Sequence, residues 1–383
     1  MSESPRLGCA FTHFCTGRGL SHIFLSVCRG LGAGLNARLI VPACAPEYRD
    51  RPLIEAVPRA LQKLVFRSPD AARILTERRL LREAARCQAV YLFPAVSLST
   101  VKRLRTIGAT IFLERVNCAV QTAAAILDEA YRRLGYAPAH GITTETIERE
   151  REEISHVNYV VCPSPNVYSS FVRFGVPEAK LIRSSYGWSP QRFAGRSACA
   201  SGGGRFTVLF VGYICVRKGA HLLLDAWARA GLDGQLILCG AIEPAIAKTC
   251  GHLLSRDDVV HVPFTHDVGP LYSRADLFAF PSLEEGGPLV TPEAMAHGLP
   301  VLTSPMGAGS FVRDGLEGRV LEPYDADGWV DALRDAIGSP DRYARYGVAG
   351  QQRAQAFTWE RISASRGEAI KARVSTGLFT DAV

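Results

Sequence analysis

Short apolar runs separated by amphipathic stretches recur along the whole chain. Residues 7–14, 37–41, 89–93 (AVYLF), 110–113 (TIFL), 159–164 and 180–184 read as strands, most of them too apolar to face water on either side. Between them, residues 23–31, 71–86, 121–134 and 142–156 carry helical spacing, and a further helix ends at Gly175. The grammar restarts at 206–211 and continues with strands at 236–239, 259–262, 277–281 and 300–303. Helices are expected around Leu222 to Trp227, at 245–253, 271–274 and 327–337, and after Thr358. Strand, helix, strand repeated in this way predicts parallel sheets buried by helices. In the basic helix at 71–86 the pattern sets Ile74, Leu81 and Ala85 opposite Arg79, Arg82 and Arg86.

The glycine-rich stretch AGRSACASGGGR marks a linker at 194–205. It divides a first domain at 1–193 from a second at 206–357, with a helical segment at 358–383. The expected class is α/β, with two doubly wound, Rossmann-like domains facing across a cleft. A length of 383 residues fits two cores better than one.

Charge changes the picture in one respect. Residues 1–195 hold 26 Lys+Arg against 16 Asp+Glu, about +10, and the remainder 18 against 21, about −3, giving the net +7. A basic first half suits an anionic partner, such as a phosphorylated acceptor or an acidic membrane surface. Solvated arginine helices would give the same asymmetry. The basic residues lack interleaved aromatics, so no nucleic-acid partner is expected. Eleven cysteines fall without C-x-x-C or Cys/His spacing, which predicts a reducing, cytoplasmic setting and no structural metal. No apolar run approaches the roughly twenty residues that span a bilayer, and the first residues do not read as a signal peptide. A peripheral contact at the inner face of the cytoplasmic membrane stays open.

The densest candidate chemistry is FPSLEEGGPLVTPEAMAHGLPVLTS, residues 280–304. A strand end, a loop of acids and glycines and a short helix should meet where parallel sheets bind ligands, beyond the carboxyl ends of the strands. Thr291 is expected to cap that helix and Pro292 to occupy its first position, with Glu293 in the first turn. Glu285 and Glu293 can accept hydrogen bonds from sugar hydroxyls. A second cluster, Arg217-Lys218-Gly219, follows the strand at 206–211 and suits a diphosphate, arginine as a fork and lysine as a point charge. A third, Thr16-Gly17-Arg18-Gly19-Leu20-Ser21-His22, is a glycine turn opening a helix, without the third glycine of a dinucleotide site.

Glu285 and Glu293, eight positions apart and followed by A-M-A-H-G-L-P-V, resemble the E-x7-E signature of retaining glycosyltransferases of the GT-B fold, family 4 type. The resemblance is specific over about residues 206–321. It implies transfer of a sugar from a nucleotide diphosphate sugar, UDP or GDP, to a glycan or glycolipid acceptor hydroxyl with retention, and without a metal or other cofactor. It assigns catalysis to Glu285, Lys218 and Arg217. Donor binding falls to Gly212, Gly219, Val262, Gly287, Leu289, Val290 and Glu293. The phosphate loop or acceptor side holds Gly17, Gly19, His22, Arg115 and Asn117, the last two standing where many relatives carry a histidine. It also implies that the final helix crosses back to the first domain. The chain departs from the pattern at Tyr213, where the family has arginine, at Gly287-Pro288, where it has Phe-Gly, and at Pro263. Asp325-Ala326-Asp327, the one D-x-D, reads as a helix cap. Asp276 reads as structural. Two alternatives remain on the same architecture: a nucleotide-sugar epimerase, and a catalytically degenerate carbohydrate-binding or scaffold protein.

Overall fold

The computed structural model describes residues 4–32, 34–49, 53–193 and 204–375. Two parallel sheets organise the chain. The first contains β1 (Arg6–Ala10), β2 (Asn36–Val41), β3 (Leu53–Glu55), β4 (Ala89–Leu92), β5 (Thr110–Glu114), β6 (Tyr159–Cys162) and β7 (Leu181–Arg183), in the order β3-β2-β1-β4-β5-β6-β7. The second contains β8 (Phe206–Val211), β9 (Gly234–Cys239), β10 (Val259–Val262), β11 (Leu277–Phe280), β12 (Val301–Thr303) and β13 (Gly318–Val320), in the order β10-β9-β8-β11-β12-β13. Each sheet therefore reverses its winding beside its first strand, at β1/β4 and at β8/β11. That reversal leaves an open crevice at the strand ends, the place where doubly wound sheets bind ligands.

The strands are apolar on both faces because helices cover both. In the second sheet Val208, Leu209, Phe210, Leu236, Leu238, Phe278, Val301 and Leu302 are all fully buried. Asp276 accepts from the Thr207 amide at 2.8 Å and so pins the start of β8. Asp325 caps the helix Ala326–Gly338 by accepting from the Gly328 amide at 3.0 Å.

The final helix, Trp359–Ser375, lies on the first domain. Ser363 donates to the Ser26 carbonyl at 3.0 Å, and Arg366 is buried against Glu114 at 2.8 Å. The chain crosses where the Trp188 amide donates to the Phe357 carbonyl and the Trp359 amide to the Trp188 carbonyl. Gly187 permits this: a Cβ there would fall 2.8 Å from the Phe357 carbonyl oxygen.

Three expectations need correction. The helix at the E-x7-E segment is Val290–Ala296, capped by Leu289 rather than Thr291. The buried Thr291 hydroxyl is used elsewhere, donating to the Gly307 carbonyl at 2.8 Å. Pro292 is consequently the third helical residue, still within the first turn, where a missing amide costs nothing. The basic helix runs Pro69–Ala84 and buries Ala72, Thr76, Glu77, Leu80, Glu83 and Ala84, leaving Ile74 exposed. A buried acid sets that phase: Glu77 accepts from the Ser97 amide at 2.6 Å and the Thr100 hydroxyl at 3.0 Å, anchoring the start of Leu98–Thr106. The helix expected at 245–253 is two pieces, Pro244–Thr249 and Gly251–Leu254. Pro340–Ala354, a helix of 15 residues, was not anticipated. Of the expected linker, residues 194–203 lie outside the described residues, as do residues 376–383 of the final segment.

Candidate functional site

A cleft of about 1030 Å³ opens between the two sheets at their carboxyl ends. One wall is the glycine turn after β1. There Gly17 and Gly19 adopt positive φ, +69° and +52°, which only glycine takes without strain. Ser21 holds the turn together: its hydroxyl accepts from the Thr16 and Arg18 amides and donates to the Arg18 carbonyl. His22 follows, its ring edge-on to Trp359 at 5.8 Å; burial, then the positive charge of Arg192, lowers its pKa.

The facing wall is built from the second sheet. Gly212 and Tyr213 follow β8, Gly240 and Ala241 follow β9, and Phe264, Thr265 and His266 follow β10. Leu289, Val290 and Glu293 complete it. Glu293 is buried, receives the Arg192 guanidinium at 2.9 Å and the Tyr272 hydroxyl at 3.2 Å, and has its pKa raised to about 7 by burial. Val262 ends β10 and lies behind the lining, which its following loop supplies.

Glu285 and Lys218 form a buried ion pair, and Ser282 donates to Glu285 at 3.1 Å. Burial lowers the Lys218 pKa against the opposing attraction of Glu285. Gly219 is required beside them, with φ +68° and a Cβ position 2.1 Å from the Pro281 carbonyl oxygen. Arg217 pairs with Glu284 at 3.3 Å.

Glu284 is the hub between the domains. Fully buried, it accepts from the Cys118 amide at 2.9 Å, the Asn117 side chain at 2.8 Å and Arg217. Asn117 thus reaches the second domain, whereas Arg115 is held by Glu150 and by Glu153 at 3.2 Å on the helix Thr144–His156. Arg115, Asn117, Arg217 and Glu284 line a second cavity of about 380 Å³ with Tyr131, His140 and Glu243. Gly286 and Gly287 lie directly beneath the first domain: a Cβ at Gly286 would stand 1.8 Å from the Val116 oxygen, and one at Gly287 2.6 Å from the Tyr186 ring.

The structure therefore gathers Gly17, Gly19, His22, Gly212, Leu289, Val290 and Glu293 around one cleft. Lys218, Glu285 and Gly287 are not part of its lining: Lys218 is paired with Glu285, whose carbonyl faces the Cys118 thiol, and Gly287 packs on Tyr186. Sequence reasoning missed Arg18, Arg192, Tyr186 and Glu284. Arg18 between two turn glycines and Glu284 beside Glu285 were visible signals; Arg192 and Tyr186 carried none. Among the described residues no cluster of three or more His, Cys, Asp or Glu is placed to hold a metal, and no helix is long and apolar enough to cross a membrane.

The profile of the family described as glycosyl transferases group 1 matches residues 205–339. A D-inositol 3-phosphate glycosyltransferase of Arthrobacter sp. is 32% identical over 183 residues, 45% of this chain and 44% of the relative. An alpha-maltose-1-phosphate synthase of Mycolicibacterium smegmatis is 34% identical over 175 residues, 41% of this chain and 45% of the relative. The chain thus spans about half the length of the curated relatives it matches. Among solved structures, sucrose-phosphate synthase from Thermosynechococcus elongatus superposes with a TM-score of 0.73 at 19% identity, covering 97% of this chain and 100% of that one. HepE of Anabaena in complex with UDP and glucose superposes with a TM-score of 0.69 at 14% identity, covering 96% and 100%. These likenesses establish the GT-B fold.

Proposed function

We propose that this chain, which carries a glycosyl transferases group 1 domain at residues 205–339 within a GT-B fold, moves a sugar from a nucleotide diphosphate sugar to an acceptor hydroxyl. The observation that carries the reading is the cleft itself, with Glu293 on one wall and the Gly17 to His22 turn on the other, at the switch points of both sheets. Support for a uridine nucleotide comes from HepE, whose solved complex holds UDP and glucose.

The chemical problem is to stabilise a departing diphosphate. Fixed cations do so without reorganising, and removing one such contact costs about 3 kcal/mol. Lys218 and Arg217 carry that charge, Glu285 orients the donor sugar, and Glu293 accepts from the ribose hydroxyls. No nucleophilic side chain is invoked, in keeping with retention through attack from the leaving-group side. The acceptor is a phosphorylated polyol, a glycan or a glycolipid, which the basic first domain suits, and the setting is cytoplasmic, with or without a membrane surface.

Thermal unfolding with UDP, GDP, ADP and dTDP tests the donor site, since a ligand at a hundred times its dissociation constant adds about 2.7 kcal/mol. One nucleotide is expected to raise stability, and its sugar conjugate to be consumed when acceptors are supplied. No rise with any nucleotide would sink the reading. The burial of the Lys218–Glu285 pair and the packing of the neighbouring Gly286 and Gly287 against Val116 and Tyr186, together with Tyr213 and Pro288, favour a second reading, a nucleotide-sugar-binding protein without turnover. Binding without product under all acceptors would select it.

A further inference from the structure

The other cations in and beside the cleft already have partners. Arg217 faces Glu284, Lys218 faces Glu285, and Arg192 faces Glu293. Arg29, which lines the cleft with Arg192, donates to the Tyr48 carbonyl at 2.8 Å. An anion arriving there must share each of these groups with an existing partner.

Arg18 differs. Its exposed side chain lines the cleft, and among the described residues it forms no ion pair. Its backbone is nevertheless fixed, between two positive-φ glycines and by two hydrogen bonds with the Ser21 hydroxyl, one in each direction, while the Thr16 amide donates to the same hydroxyl. Tyr48 backs the turn, its ring 2.2 Å from where a Gly17 Cβ would lie. An ordered turn thus presents an uncompensated guanidinium to the cleft. Across from it Gly212 and Gly240 offer only backbone, and Tyr213 adds no charge.

We infer that Arg18 binds the diphosphate of the donor from the first domain, supplying the fork of positive charge that Tyr213 does not. This rests on the proposed function. A guanidinium keeps its charge at every working pH and matches paired phosphate oxygens. Because no carboxylate has to be displaced from Arg18, the anion gains its full attraction there.

The test is calorimetric titration of wild type, Arg18→Ala and Arg18→Lys with whichever of UDP, GDP, ADP or dTDP the wild type binds. The matching nucleoside is followed by ligand-observed NMR. Arg18→Ala is expected to weaken the nucleoside diphosphate about tenfold or more while leaving nucleoside affinity and melting temperature unchanged, and Arg18→Lys to recover part of the loss. Unchanged diphosphate affinity in Arg18→Ala, or an equal loss for the nucleoside, overturns the assignment and leaves the proposed function standing. A wild type that binds none of the four overturns both.

Discussion

Arg192 and Glu293 meet across the cleft, guanidinium Nη1 2.9 Å from carboxylate Oε1, although they come from opposite sides of the linker. Burial outweighs both Arg192 and the Tyr272 hydroxyl and pushes the Glu293 carboxyl up to about 7 from 4.5. The native state then binds more protons than the unfolded chain between these values. The contribution of this group to stability therefore rises as pH falls from about 7 towards 4.5 and is lost as pH rises again. Nucleotide affinity should move the other way, since an ionised carboxylate accepts from ribose hydroxyls and a protonated one accepts less well. Urea unfolding and nucleotide titration of wild type and Glu293→Gln across about pH 5.5 to 8 check this. Identical slopes in the two proteins would remove Glu293 as the titrating group.

Lys218 and Glu285 are a buried pair, so removing one partner does more than delete a contact. Lys218→Ala strands a carboxylate and should cost about 3–5 kcal/mol in denaturant unfolding. Lys218→Met with Glu285→Gln should recover most of that stability, because neither charge is left alone. Turnover of the nucleotide sugar should fall at least about tenfold in the single and the double variants alike. Full turnover in the stable double variant would show the pair to be structural.

Much of this architecture was legible. The strand of residues 206–211, the turn glycines 17 and 19, and the Asp325 cap follow from local pattern and local chemistry. What escaped depends on partners far away in sequence. Thr291 looks like a cap until Gly307 takes its hydroxyl, and the phase of Pro69–Ala84 is set by Ser97 and Thr100 reaching Glu77. Glu284 draws no role from the sequence, yet three donors from two loops converge on it. Arg115 occupies a cleft-facing strand end in sequence, but Glu150 and Glu153 draw it onto a helix.

Gly286 and Gly287 replace bulk where the first domain presses on the loop of Glu285. At Gly286 the obstacle is the Val116 backbone oxygen, which cannot rotate away; at Gly287 it is the edge of the Tyr186 ring. Gly286→Ala should therefore part the 116–118 loop from the second domain, at a cost of about 1–3 kcal/mol. Gly287→Ala should be milder. The expected readout for Gly286→Ala is a larger radius of gyration in small-angle scattering and reduced turnover, with circular dichroism unchanged. An unchanged radius with normal turnover would mean that this contact is not needed to keep the 116–118 loop against the second domain.

Arg366 and Glu114 tie the last helix to the heart of the first sheet. Both are fully buried at 2.8 Å, with Arg366 also donating to the Tyr91 hydroxyl at 2.8 Å and the Ser185 carbonyl at 2.8 Å. The latter bond holds the strand exit just before Tyr186, so the pair links the returning helix to the residue that packs on Gly287. Arg366→Ala should cost about 3–5 kcal/mol by leaving Glu114 uncompensated, and Arg366→Met with Glu114→Gln much less. Hydrogen exchange should quicken in the single variant over Trp359–Ser375 and over Leu20–Arg29, the helix it covers. Faster exchange confined to residues 359–375 would show that the pair fastens only its own helix; exchange rising in both, together with weaker nucleotide binding, would tie the cleft wall at Gly17 to His22 to this buried charge.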